Sequence, residues 1–100
     1  MNPNINAAEI STRIQNDDAM RLLDVRGTIE YHTYNIGGVN IPLDQLTDAL
    51  PLDEWAHDEE IIVICKAGLR SKTAQAILLN NGYTNVRNLT GGLLALQKLK

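Results

Sequence analysis

Cys65 is the only cysteine in the chain, and it stands where the apolar run "IIVI" gives way to "CKAGLRSK", with Lys66, Arg70 and Lys72 close behind it. The thiolate, not the thiol, is the nucleophilic form of cysteine, and it needs donors or cations to persist. A tight loop that contains Gly68 and feeds a helix start turns successive N–H groups into one hollow, reinforced by the helix dipole. Such a hollow favours the thiolate of Cys65, and Arg70 adds a permanent cation. The same hollow would hold a negatively charged sulfur adduct. The competing reading is structural: Cys65 as a small buried hydrophobe at a strand end, with Lys66, Arg70 and Lys72 as solvated surface charges. The composition of the loop favours a reactive thiol.

A lone cysteine excludes an internal disulfide, a CxxC redox pair and a cysteine-built zinc site, and it suits a reducing compartment. His32 and His57 show no metal-site spacing and read as surface or partly buried residues, so neither a metal nor a cofactor is expected. The amino terminus lacks the basic start and apolar run of a signal peptide, and no segment reaches membrane-spanning length, so a cytoplasmic protein without a membrane partner is expected. Charge is unevenly distributed. Residues 1–64 hold all twelve Asp and Glu with Arg13, Arg21 and Arg26, whereas residues 65–100 hold Lys66, Arg70, Lys72, Arg87, Lys98 and Lys100 and no acid. This predicts a positive field near Cys65. Four per cent aromatics and an overall charge of −3 disfavour a nucleic-acid partner.

These residues need a frame to position them. Asn6 with Glu9 resembles a capping pair before a helix over 7–16, and "RLLDV" (21–25) reads as a buried strand. A short helix is expected around 29–34, an extended stretch at "VNIPL", a helix at "DQLTDAL", and a solvated acidic loop at "DEWAHDEE". "IIVI" is β-branched throughout, which suits a central parallel strand. A helix over 71–81 ends at Gly82, "NVRNL" supplies a last strand, and "GLLALQKLK" a terminal helix with lysines at its carboxyl end. The alternation predicts one α/β domain, mainly parallel, with helices on both faces, and ligands in such folds bind beyond the carboxyl ends of the strands, where Cys65 lies.

Four segments together resemble the rhodanese-like domains. "LLDVRGTIEY" (22–31) is similar to that family's "DVR…E[YF]" segment, "NIGGVNIPL" (35–43) to "HIPGAxNIP", "CKAGLRS" to the "CxxGxRS" active-site loop, and "GYTNVRNLTGG" (82–92) to the closing "GY.nV..L.GG" pattern. The resemblance spans nearly the whole chain in the family's order. It implies a single rhodanese-like domain over 1–100, with a mainly parallel five-stranded sheet and helices on both faces. It also implies sulfur transfer, in which Cys65 carries a persulfide from thiosulfate or a protein persulfide donor to a thiol, cyanide or an acceptor protein. Lys66, Ala67, Gly68, Leu69, Arg70 and Ser71 would cradle the persulfide through their amides, with Arg70 and Lys66 receiving an anionic substrate. Asp24, Arg26 and Glu30 match positions that brace the family's architecture, with Arg26 and Glu30 read as a structural ion pair.

Some positions depart from the pattern. Asn35 replaces the usual His and Gly37 the usual Pro, which is expected to loosen that turn, and Leu96 stands where Trp is common. Two rival functions remain. A cysteine phosphatase uses a similar nest, but Lys66, Ala67, Gly68 and Leu69 separate Cys65 from Arg70, one residue fewer than such phosphatases hold, and no acid follows Cys65. A non-catalytic partner-binding module of the same fold would be marked by loss of the cysteine, which is present here.

Overall fold

The computed structural model describes residues 2–99. Its centre is a five-stranded sheet in the order β1-β5-β4-β2-β3, built from β1 (Asn4–Ile5), β2 (Leu22–Asp24), β3 (Val39–Asn40), β4 (Ile61–Ile64) and β5 (Val86–Leu89). Every strand pair is parallel. β4 lies in the middle of the sheet, paired through Val63 to Leu23 on one side and to Asn88 on the other. All four of its residues are buried, as a β-branched run in a sheet covered on both faces requires.

The helices are α1 (Ala7–Gln15), α2 (Thr28–Thr33), α3 (Leu46–Ala49), α4 (Leu69–Asn80) and α5 (Gly92–Gln97), with a 3-10 turn over Leu43–Gln45 leading into α3. Alternating strand residues divide the core. Leu23, Ile61, Val63 and Cys65 pack with Leu46 of α3 and with Ala74 and Leu78 of α4. Leu22, Ile62, Ile64 and Leu89 pack on the other face with Ile10 of α1 and Leu93 and Leu96 of α5. The fold is thus α/β with helices on both faces of a parallel sheet. Leu96, at the position where Trp was the common choice, fills its share of the second face as a buried side chain.

The differences from the sequence reading have local causes. α4 begins at Leu69, two residues earlier than expected. Gly68 takes the left-handed region at φ +99°, and the Lys72 amide already closes a helical turn onto the Gly68 carbonyl at 3.3 Å. The acidic 53–60 segment is not simply solvated. Glu59 pairs with Arg21, Glu60 pairs with Arg13 and Arg87, Trp55 packs against the core, and the His57 ring stacks on Tyr83. Asn35 does not loosen its turn: its Oδ1 accepts from the Gly37 amide and its Nδ2 donates to the Tyr31 carbonyl, both at 2.9 Å. β1 had no counterpart in the sequence reading, and α5 ends at Gln97 with Lys98 as its cap. Lys100, one of the lysines expected at that end, lies outside the described residues.

Candidate active site

β4 ends at Ile64, so Cys65 is the first residue beyond the carboxyl end of the central strand. It is 2% exposed. The chain then curls over its own sulfur: the Gly68 amide donates to Sγ at 3.1 Å and the Ser71 amide at 3.3 Å, and the Ser71 Oγ lies 3.3 Å from Sγ. The curl is held from the other side of the sheet. Leu93 and Leu94 of α5 donate their amides to the carbonyls of Cys65 and Lys66 at 2.9 and 3.0 Å. That approach requires Gly92, because a Cβ there would collide with both carbonyls and φ is +63°. The closing Gly pair of the sequence therefore belongs to the loop's support.

Burial is the strongest influence on the Cys65 thiol and pushes it up, but the Ser71 hydroxyl and the amides of Ser71, Gly68 and Ala67 together outweigh it, so Cys65 lies below its ordinary value. Of the residues expected to form the cradle, Ala67, Gly68 and Ser71 thus act on the sulfur. Lys66 and Leu69 are exposed.

Arg70 stands in the first turn of α4, not in the loop, and its guanidinium is already engaged. It forms a two-pronged pair with Glu30 of α2, at 2.7 and 2.9 Å, with the two side chains 38% and 39% exposed. Arg70 holds the Glu30 carboxyl down to about 2, helped by the Gly27 amide and opposed by burial. The expected Arg26–Glu30 pair is accordingly replaced by two others, because Arg26 forks onto its near neighbour Asp24 at 2.8–3.1 Å and also donates to the Tyr34 carbonyl. Asp24 is fully buried and Arg26 nearly so, and Asn40 Nδ2 bonds both of their carbonyls, which makes this cluster the brace beneath the site. The positive field read from the sequence is reduced, since Arg70 is countered by Glu30, and Arg87 by Glu9 and Glu60.

Beside the loop lies a cleft of about 320 Å³, lined by Arg26, Ile29, Glu30, Thr33, Lys66 and Leu94 among others. Lys72 borders a separate hollow on the loop's other flank, with Ala67, Gly68 and Leu69. Asn88, which the sequence reading passed over, sits beneath the loop: its Oδ1 accepts from Ser71 Oγ at 2.5 Å. Its signal in the sequence is weak, a polar side chain beside Arg87 in a four-residue strand whose other members are Val86 and Leu89. His32 and His57 are exposed, and among the described residues no group of His, Cys, Asp and Glu is arranged to hold a metal.

A buried thiol at the end of the central strand of a parallel sheet, ringed by amides at a helix start, defines a class of α/β proteins built around a cysteine-centred anion nest. Within that class, the chain belongs to the rhodanese-like domain family, whose model matches residues 6–99. It is 30% identical over 95 residues to the tRNA uridine(34) hydroxylase of Erwinia tasmaniensis, covering 90% of this chain and 27% of that protein, so the chain spans about a quarter of this curated relative. Among solved structures, it resembles a rhodanese-like domain protein from Staphylococcus aureus with a TM-score of 0.82 and 26% identity, over 96% of this chain and 91% of that one. It also shares the fold of the human single domain sulfurtransferase TSTD1, with a TM-score of 0.87, 24% identity and coverage of 100% and 99%.

Proposed function

We propose that the chain is one catalytic domain that transfers sulfane sulfur through a persulfide on Cys65. The observation that carries this is the convergence of the Gly68 and Ser71 amides and the Ser71 hydroxyl on one sulfur at a helix start. In the first half-reaction the Cys65 thiolate attacks the outer sulfur of thiosulfate. A Cys–S–S bond forms, the thiosulfate S–S bond breaks, and sulfite leaves with the bonding pair. In the second half-reaction cyanide or a thiolate attacks the terminal sulfur, and Cys65 leaves as the thiolate that the amides were already holding. No metal or cofactor is needed. Cys65 is the catalytic residue, Lys66, Ala67, Gly68, Leu69 and Ser71 shape the nest, and Arg70 meets an anionic donor only by sharing or leaving Glu30.

A protein donor or acceptor fits the surroundings of the nest. Ile29 and Leu69 are 83% and 78% exposed, and they adjoin Glu30 and Arg70, which meet across the site. A carboxylate held ionised at the rim cannot serve as the general acid that a phosphatase requires.

Incubation with thiosulfate should add one sulfur atom to the intact mass of the protein, and later cyanide should remove it as thiocyanate. Cys65→Ser should abolish both. Thiocyanate produced above background by the Ser variant would overturn the covalent mechanism. The 30% identity to a tRNA uridine(34) hydroxylase favours a second reading, in which this chain serves a tRNA-modifying reaction. Uridine modification that depends on Cys65 but proceeds without any sulfur bound to it would favour that reading over sulfur transfer.

A further inference from the structure

The Ser71 hydroxyl has two claimants and one proton. Its Oγ lies 2.5 Å from Asn88 Oδ1 and 3.3 Å from Cys65 Sγ. A hydroxyl offers one donor and two lone pairs, and an amide oxygen offers only lone pairs. The short contact therefore needs the Ser71 proton between the two oxygens, which turns a lone pair of Oγ toward the sulfur. In that arrangement the Cys65 thiol donates its S–H to Ser71, and Ser71 donates to Asn88. Asn88 is anchored in this orientation, because its Nδ2 faces the Gly68 carbonyl at 3.4 Å and its side chain is buried.

We infer that Asn88 is a positioning residue for Cys65, one that competes with the sulfur for the Ser71 proton and so weakens, without abolishing, the support that hydroxyl gives the thiolate. When the thiol ionises, Sγ needs donors, and the Ser71 hydroxyl can serve only by turning from Asn88, which leaves a buried amide oxygen without its partner. The restraint has a chemical use. Nucleophilicity of a thiolate falls with its pKa, while a leaving thiolate departs faster when its pKa is low, so a carrier that must both attack and leave is served by an intermediate value. That consequence rests on the sulfur-carrier reading; the restraint itself does not.

The other charges around Cys65 are accounted for on each element that packs against it. They are Lys66 in its own loop, Arg70 of α4 paired with Glu30 of α2, Lys72 farther along α4, and Asp24 at the end of β2 paired with Arg26 just beyond that strand. From β5, Arg87 bonds to Glu9 and Glu60, and α5 (Gly92–Gln97) contains no charged residue.

The test is the pH dependence of Cys65 alkylation in Asn88→Ala and Asn88→Asp, each with and without Ser71→Ala. Asn88→Ala frees the hydroxyl to donate to the thiolate and should lower the midpoint by about one pH unit, the size of one hydrogen bond to a charged atom. Asn88→Asp keeps an acceptor, adds negative charge, and should raise it. In the Ser71→Ala background the Asn88→Ala shift should vanish. A loosened loop would move both variants upward together, and that outcome, an unmoved midpoint in Asn88→Ala, or an equal shift without the Ser71 hydroxyl would each overturn the inference. Persulfide formation by mass is scored separately: the expected shifts without sulfur uptake would sink the sulfur-carrier reading and leave the Asn88 assignment standing.

Discussion

At the scale of residues, the contest is over a single sulfur. Cys65 at 2% exposure would stay neutral in an apolar setting, because a buried anion is costly. Here burial loses to the Ser71 hydroxyl and to amides that the curled loop cannot aim elsewhere. Alkylation rate against pH should therefore give a midpoint below that of an ordinary cysteine, and Ser71→Gly should leave the amide donors in place and move the midpoint less than loss of the curl does. Gly68→Ala supplies that loss. At φ +99° an alanine is strained by about 1–3 kcal/mol, so the loop should open and the midpoint return to the ordinary range or above. Equal, small shifts in both variants would show that neither donor is aimed at the sulfur. The loop that brings Gly68 and Ser71 onto Cys65 was legible in the sequence because the three are near neighbours in the chain, whereas the capture of Arg70 by Glu30 was not, because it joins residues 40 apart. Asn88 was not legible either, because it meets Ser71 across 17 residues and a polar side chain in a short strand does not by itself point to the loop.

At the scale of elements, the loop is a joint between three of them. α5 lends two amides to the carbonyls of Cys65 and Lys66, and α2 lends Glu30 to Arg70. Gly92→Ala should push α5 off the loop, with a stability loss on the order of 2–4 kcal/mol read from denaturant midpoints, and sulfur uptake should fall with it. A stable, active Gly92→Ala protein would mean that α5 only covers the sheet. The Arg70–Glu30 pair makes a different prediction. Glu30 is lowered from 4.5 to about 2, so what the pair contributes is present above pH 4.5 and is lost as pH falls through about 2. Near neutrality Arg70 stays shared, and Glu30→Gln should free it and raise kcat/KM for thiosulfate, whereas Arg70→Ala should lower it. Unchanged kinetics in Glu30→Gln would place Arg70 in α2–α4 bracing alone. The order of elements was readable because β-branched runs and helical stripes alternate cleanly. What escaped was set by tertiary contact: β1 is two residues long and exists through pairing with β5, and the early start of α4 depends on the conformation of Gly68.

At the scale of the whole molecule, the charge asymmetry of the sequence is largely folded away. Arg87, 11% exposed in its side chain, is gripped by Glu9, Glu60 and the carbonyls of Asn2 and Asn4, which ties the first strand to the sheet centre rather than charging the site. Two of the cations that follow Cys65 flank its loop without an ion pair among the described residues: Lys66, which lines the cleft shared with Arg26 and Glu30, and Lys72, which faces the hollow on the other flank. A dianionic donor that enters by the cleft meets Lys66 first. Lys66→Ala should then lower kcat/KM for thiosulfate about two- to fivefold, the range of one exposed charge, and Lys72→Ala by less. The difference should shrink as added salt shortens the range of the field, and a neutral thiol acting on preformed persulfide should distinguish neither variant from the parent. If Lys72→Ala proves the more damaging, the donor enters by the other flank; if neither variant responds to salt, the amides alone receive the anion and the surviving lysines are solvated surface.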